Sequence, residues 1–88
     1  MLPRRATGTD LTVGEKLTLD AADRGATVRV TRVAGRPRLI QRLAAIGVVP
    51  GVLLTIVKPH GPSIVSLGGA RIAIGKSAAE SVEIEVAD

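Results

Sequence analysis

Pro37-Arg38-Leu39-Ile40-Gln41-Arg42-Leu43-Ala44-Ala45-Ile46-Gly47-Val48-Val49-Pro50-Gly51 is the stretch on which the fold turns. Leu39, Leu43 and Ile46 recur at i, i+4 and i+7, and Ile40 widens that apolar stripe. Arg38, Gln41, Arg42 and Ala45 lie opposite it. Pro37 suits the first helical position, because its ring presets φ and its missing N–H would be unpaired there. Gly47 suits the left-handed residue that closes a helix. Val48-Val49-Pro50-Gly51 then reads as a turn into a strand. The spacing predicts one convincing helix, over residues 37–46.

Outward from this helix the pattern is β. Upstream, Ala26-Thr-Val-Arg-Val-Thr-Arg-Val33 alternates at period two, with Val28 and Val30 facing in and Thr27, Arg29 and Thr31 facing out. Val33 breaks the parity, which predicts a bulge near Thr31-Arg32. Leu17 to Gly25 reads as a short helical turn with Asp20 at its N-cap and Gly25 at its end. Residues 1–16 carry Pro3, Gly8 and Gly14 without periodicity and read as a flexible leader.

Downstream, Val52 to Val57 is apolar on both faces apart from Thr55, as in a strand buried on two sides. Ile64 to Leu67 and Arg71 to Ile74 are short strands joined by Gly68-Gly69, a pair suited to a two-residue hairpin. Ser77-Ala-Ala-Glu80 has the pattern of a capping box. Val82-Glu-Ile-Glu-Val86 alternates again, valines and isoleucine inward. The fold class expected is mainly β: a small antiparallel barrel of about five strands, with the helix between its first and second strands. The domain spans residues 17–88. Its expected core is Val28, Val30, Leu39, Leu43, Ile46, Leu54, Ile56, Ile72, Ile74, Val82, Ile84 and Val86.

Composition narrows the function. The chain has 88 residues and contains no Phe, Trp, Tyr or Cys. Without cysteine there is no disulfide, thiolate metal site or cysteine nucleophile. Without aromatics, single-stranded nucleic acids lose the stacking that supplies much of their affinity. The longest uncharged run, Leu43 to Val57, has 15 residues and is broken by Pro50-Gly51, whereas a spanning helix needs about 20. Arg4 and Arg5 have no apolar run behind them, so the start does not read as a signal peptide. The chain reads as a soluble cytosolic protein.

Its charge is unevenly placed. Net charge is +4, yet no acid occurs between Arg24 and Ala79, where Arg24, Arg29, Arg32, Arg36, Arg38, Arg42, Lys58, Arg71 and Lys76 lie. That segment prefers something anionic, unless the acidic ends balance it in three dimensions. Chemistry is scarce elsewhere. His60 is the single histidine, and Gly61-Pro62 beside it marks an exposed turn. Asp20, Asp23, Glu83 and Glu85 have no metal-ligand spacing. Ser63, Ser66, Ser77 and Ser81 have no base partner. Gly68-Gly69 fits no phosphate-binding loop. No catalytic, cofactor or metal site is expected.

The residues at the junctions carry a resemblance. Arg42-Leu43-Ala44-Ala45-Ile46-Gly47-Val48-Val49-Pro50-Gly51 resembles the RRL-x-x-LGL-x-PG helix-to-strand junction of the FeoA-like domain family. Gly25 to Gly35 is similar to that family's first barrel strand and the glycine before its helix. Gly69 to Lys76, and Ala78-Ala79 through Val86, resemble its later strands. The likeness covers about residues 17 to 87. Two departures stand out: Pro59-His60-Gly61-Pro62 is a shorter connection than the family's, and Ile46-Gly47-Val48 replaces Leu-Gly-Leu. The resemblance implies an SH3-like barrel and a small cytosolic accessory of bacterial ferrous iron uptake. It would act by protein–protein contact with FeoB, a membrane transporter carrying a GTP-binding domain, with no nucleic acid partner and the membrane reached only through that partner. The alternative is a basic nucleic-acid-binding or metal-sensing barrel module of an iron-responsive regulator. Oligomeric state is left open, self-association included.

The expected working surface is the outer face of the helix and the turn after it: Arg36, Arg38, Arg42, Gly47, Pro50 and Gly51. Like charges at i, i+4 oppose helix formation, so local folding gives no reason for Arg38 and Arg42. A face kept merely soluble would mix signs.

Overall fold

The computed structural model describes residues 17–87; the expected leader at 1–16 lies outside them. Along the chain come β1 (Leu17–Thr18), a 3-10 turn (Leu19–Ala21), β2 (Thr27–Val33), α1 (Pro37–Ala45), β3 (Leu53–Lys58), β4 (Ser63–Leu67), β5 (Ala70–Ile74), α2 (Lys76–Glu80) and β6 (Val82–Val86). The strands form one antiparallel sheet in the order β1-β6-β2-β3-β4-β5. Its outermost strands are β1 and β5, which are not bonded to each other, so the sheet is not hydrogen-bonded into a closed cylinder. The architecture is mainly β with one principal helix, as the periodicity indicates. The strand beyond the expected five is Leu17–Thr18, which pairs with Ile84 and Glu83 of β6 instead of beginning a helix. Asp20 therefore does not cap a helix; its carboxylate accepts a 2.6 Å hydrogen bond from Thr18.

Strand β2 pairs on both sides, with β3 at Val28↔Leu54 and with β6 at Val30↔Ile84. Val28 and Val30 are fully buried. The expected bulge is present: the β2–β6 register shifts between Val30 and Arg32. Thr31, left over by the shift, donates its hydroxyl to the Glu83 carbonyl at 3.1 Å.

Helix α1 starts at Pro37 as read from the sequence, and its exit is closed by Gly47 and Val48. Gly47 has φ +96° and its N–H donates to the Ala44 carbonyl at 3.0 Å. The Val48 N–H donates to the Leu43 carbonyl at 2.9 Å. These two bonds satisfy carbonyls that a helix end otherwise leaves unpaired. Leu43 and Val48 are both buried, so the apolar contact that accompanies this closure joins the core. Pro50 and Gly51 occupy the middle of a turn in which the Val52 N–H returns to the Val49 carbonyl. Gly51 takes φ +96°, which a type II turn requires at that position. The same turn is tied to β2 by Gly51 N–H to Val30 carbonyl and Val30 N–H to Val52 carbonyl.

The expected core needs correction at particular residues. Ile46 is 43 % exposed: it stands at the C-cap of the helix, on the same face as Leu39 and Leu43, where that face borders an open groove instead of the core. Val86, at the end of its strand, is 59 % exposed. Leu39 and Ile72 pack against the core only partly buried. The segment 52–57 is not buried on both faces. Leu54 and Ile56 are buried while Leu53 lies 48 % exposed, since the core covers one side of the sheet. Leu19, Ala22, Val48, Val65 and Ala79 complete the apolar interior. The capping box expected at Ser77 does not form: α2 begins two residues after Gly75-preceding β5 ends, with Gly75 as N-cap and Ser77 inside the helix.

Leu43 and Ile46 lie three residues apart on one helix end, yet differ in burial. Replacing Leu43 by Ala should cost about 2–5 kcal/mol through lost transfer energy and an unfilled cavity. Ile46→Ala should cost a small fraction of that. Thermal or urea denaturation of the two variants checks the contrast, and equal losses would mean the helix seats differently.

Candidate functional site

The charge map of the folded chain is decided by β6. Glu85 and Glu83 stand opposite Arg29 and Arg32 in the β2–β6 register. They pair with them, Arg29 Nη1 to Glu85 Oε2 at 3.4 Å and Arg32 Nη1 to Glu83 Oε2 at 3.0 Å. Two C-terminal acids are thus engaged with β2. Arg36, Arg38 and Arg42 are exposed, and among the described residues no ion pair or side-chain hydrogen bond engages them. Among the described residues, no acid pairs with the three arginines of the helix and its N-cap.

Helix α1 holds these arginines through its own construction. Arg36 is the N-cap residue, with Pro37 following. Arg38 and Arg42 are one helical turn apart. Arg42 sits on the rim of a groove of about 180 Å³ between α1 and the β5–α2 connection. Leu39, Leu43 and Ile46 form the helix side, and Ala73, Ile74 and Gly75 the other. Arg42 is the single charged residue lining it. Ile46 and Val49 (39 % exposed) are exposed apolar residues at and just beyond the helix end. Sequence reasoning assigned Ile46 to the core and missed the groove. The residues Ala73 and Gly75 have no chemical signature that would have revealed it.

Gly47, Pro50 and Gly51 shape the helix exit and the turn beyond it. Gly47 is half-buried, and a Cβ there would lie 2.9 Å from Leu67 Cδ2. A Cβ at Gly51 would meet nothing within 4 Å.

The remaining candidates for chemistry come together only in part. Asp20, His60, Ser63 and Lys76 line a second cavity of about 270 Å³. Asp23, Glu83 and Glu85 are not among its lining residues. Ser63 is buried, and its hydroxyl donates to the Pro59 carbonyl. Among the described residues no three His, Asp or Glu side chains cluster as metal ligands would. Nor is any helix among them long and apolar enough to cross a membrane.

The family profile of the FeoA domain matches residues 17–86. The chain belongs to the FeoA domain family. A crystal structure of an iron uptake regulatory protein, FeoA, is 31 % identical over 81 % of this chain and 96 % of that one, with a TM-score of 0.73. The solution structure of iron(II) transport protein A from Clostridium thermocellum is 30 % identical over 80 % of this chain, which spans 45 % of that one, with a TM-score of 0.73. These FeoA structures share the SH3-like class implied by the resemblance. A manganese-dependent transcriptional repressor shares the fold at 22 % identity and a TM-score of 0.76, the present chain spanning 38 % of its length. No curated protein matches the chain by sequence.

Within this FeoA domain the helix exit should be the sensitive part of the face. Gly47→Ala places a side chain at φ +96° and against Leu67, so it should cost about 1–2 kcal/mol or more. Gly51→Ala meets only the backbone strain. Denaturation midpoints should rank Gly47→Ala below Gly51→Ala; the reverse order would show that the Leu67 side chain yields freely.

Proposed function

We propose that this FeoA domain protein is a cytoplasmic accessory of ferrous iron uptake. It binds a Feo-type membrane transporter with a GTP-binding domain and performs no catalysis of its own. The contact surface is the outer face of α1 with the turn after it, Arg36, Arg38 and Arg42 supplying charge and Gly47, Pro50 and Gly51 holding the geometry. Family membership supports the association with the iron transport system. The observation that carries the surface is the contrast between Arg29 and Arg32, neutralised by β6, and the three helix arginines, which are not. Arginine presents a planar fork that grips carboxylates at two points, so an acidic patch on the partner is the matching chemistry.

The double variant Arg38→Glu/Arg42→Glu should keep its thermal midpoint, since both side chains are exposed, and lose co-purification with the transporter's cytosolic domain. Binding of the parent should weaken with added salt. Unchanged binding by the folded double variant would move the interface elsewhere, to the Gly68-Gly69 hairpin. Salt-sensitive binding to duplex DNA without transporter binding would replace this reading by a phosphate-binding one.

Iron is cargo of the system in this reading, not a ligand of this chain. Calorimetric titration with ferrous iron should therefore show no stoichiometric, submicromolar site. Finding one would favour the metal-sensing alternative.

A further inference from the structure

Strand β5 ends the sheet on one side, facing the groove beside α1. Leu67 and Ala70 flank the two-residue Gly68-Gly69 loop, where both glycines have positive φ. In such a hairpin the flanking residues exchange both hydrogen bonds, and bonded pairs alternate along the ladder. Val65↔Ile72 and Ser63↔Ile74 are therefore the next bonded pairs. The N–H and C=O groups of Arg71 and Ala73 consequently point away from β4, toward the free edge. Among the described residues, no backbone hydrogen bond outside the sheet ladders reaches either residue.

Sheets usually protect such an edge with proline, a bulge, inward charges or a very short strand. On the opposite edge, the described part of β1 is the two residues Leu17–Thr18. β5 has five residues, an uninterrupted register, no proline and one charge, Arg71. From this we infer that the β5 edge accepts an extended segment of a partner as an added antiparallel or parallel strand, with alternating apolar and acidic residues. This inference deepens the docking reading above and rests on it for the partner's identity.

The side-chain pattern selects that occupant. Ile72 is half-buried and Ile74 buried, so residues beside them on the added strand face the apolar side and the groove. Residues on the other face lie beside exposed Arg71, and Arg42 stands at the groove rim. Opposite charges across neighbouring strands stabilise pairing, and like charges oppose it. A second copy of this chain would bring Arg71 and Arg42 against the same pair, with no acid in β5 or the groove lining to offset them. An acidic strand meets no such opposition.

The test uses the whole chain and two probes: a short synthetic peptide alternating valine and glutamate, and the cytosolic domain of the Feo transporter. Amide hydrogen exchange followed by NMR should show the Arg71 and Ala73 amides becoming protected with either probe. Ala73→Pro removes an outward N–H without touching the β4 ladder. It should keep the thermal midpoint and weaken peptide binding about tenfold or more, as loss of a main-chain bond plus a steric block implies. Peptide that fails to bind, or binds while both amides stay open, overturns the inference, and that measurement needs no variant. Protection that grows with protein concentration alone would give the edge to a second copy and overturn it as well. If Arg38→Glu/Arg42→Glu loses the transporter while the transporter leaves both amides open, strand addition fails and helix docking stands. If the peptide protects the amides but the transporter does not bind, the transporter reading fails and strand addition stands.

Discussion

The hydrogen bond from the Val48 N–H back to the Leu43 carbonyl links the helix to everything else. It exists because Gly47 adopts φ +96°, a conformation that costs other residues about 1–2 kcal/mol. Closing the helix there drops Val48 into the core beside Leu43 and directs the chain toward β2. Two further bonds, between Val30 and the backbone of Gly51 and Val52, then anchor the turn to the sheet. The orientation of α1, the opening of the groove and the presentation of Arg42 all follow from this exit.

Electrostatics follows from the same topology. β6 lies beside β2, so the glutamates on its outer side meet the arginines of β2 in register. Pairs as exposed as Arg29 with Glu85 contribute little to stability. Their consequence is distribution: Glu83 and Glu85 are engaged with β2 and not with the helix. The sequence shows acids at both ends and cations between, but only the strand order decides which cations are neutralised. The surface on α1 is thus a product of sheet topology as much as of its own residues.

An open sheet adds a second constraint. Five residues of β5 leave backbone donors and acceptors at the margin of the groove that α1 creates. Main-chain pairing supplies affinity without sequence preference, while neighbouring side chains supply selectivity. Here those neighbours are apolar on one face and basic on the other. Charge on the helix and an unpaired edge are therefore complementary features of one side of the molecule, where a partner's acidic segment would find both.

Much of the fold was legible because local physics and tertiary packing agree. Val28 and Val30 alternate with Arg29 and Thr31 whichever neighbours β2 has, and the broken parity at Val33 foretold the bulge. Gly47, Pro50 and Gly51 occupy backbone conformations that depend on residue type, so their roles could be read directly, as could the positive φ of Gly68 and Gly69. Burial was misread where a residue's surroundings come from distant parts of the chain. Ile46 continues the helical stripe, but at the helix end that face borders an open groove. Leu53 and Val86 look like core residues and lie on a face or a strand end that nothing covers. Leu17–Thr18 became a strand only because β6 offered an edge 66 or so residues later in the chain, and Ala73 became part of a groove only because α1 folds beside β5. The sequence by itself determined β2 to β6, the principal helix and its stop, since those patterns depend on neighbours within a few residues. Which arginines remain unpaired, which edge stays open and where the groove lies were decided by tertiary structure alone, because each depends on pairing between segments far apart in the chain.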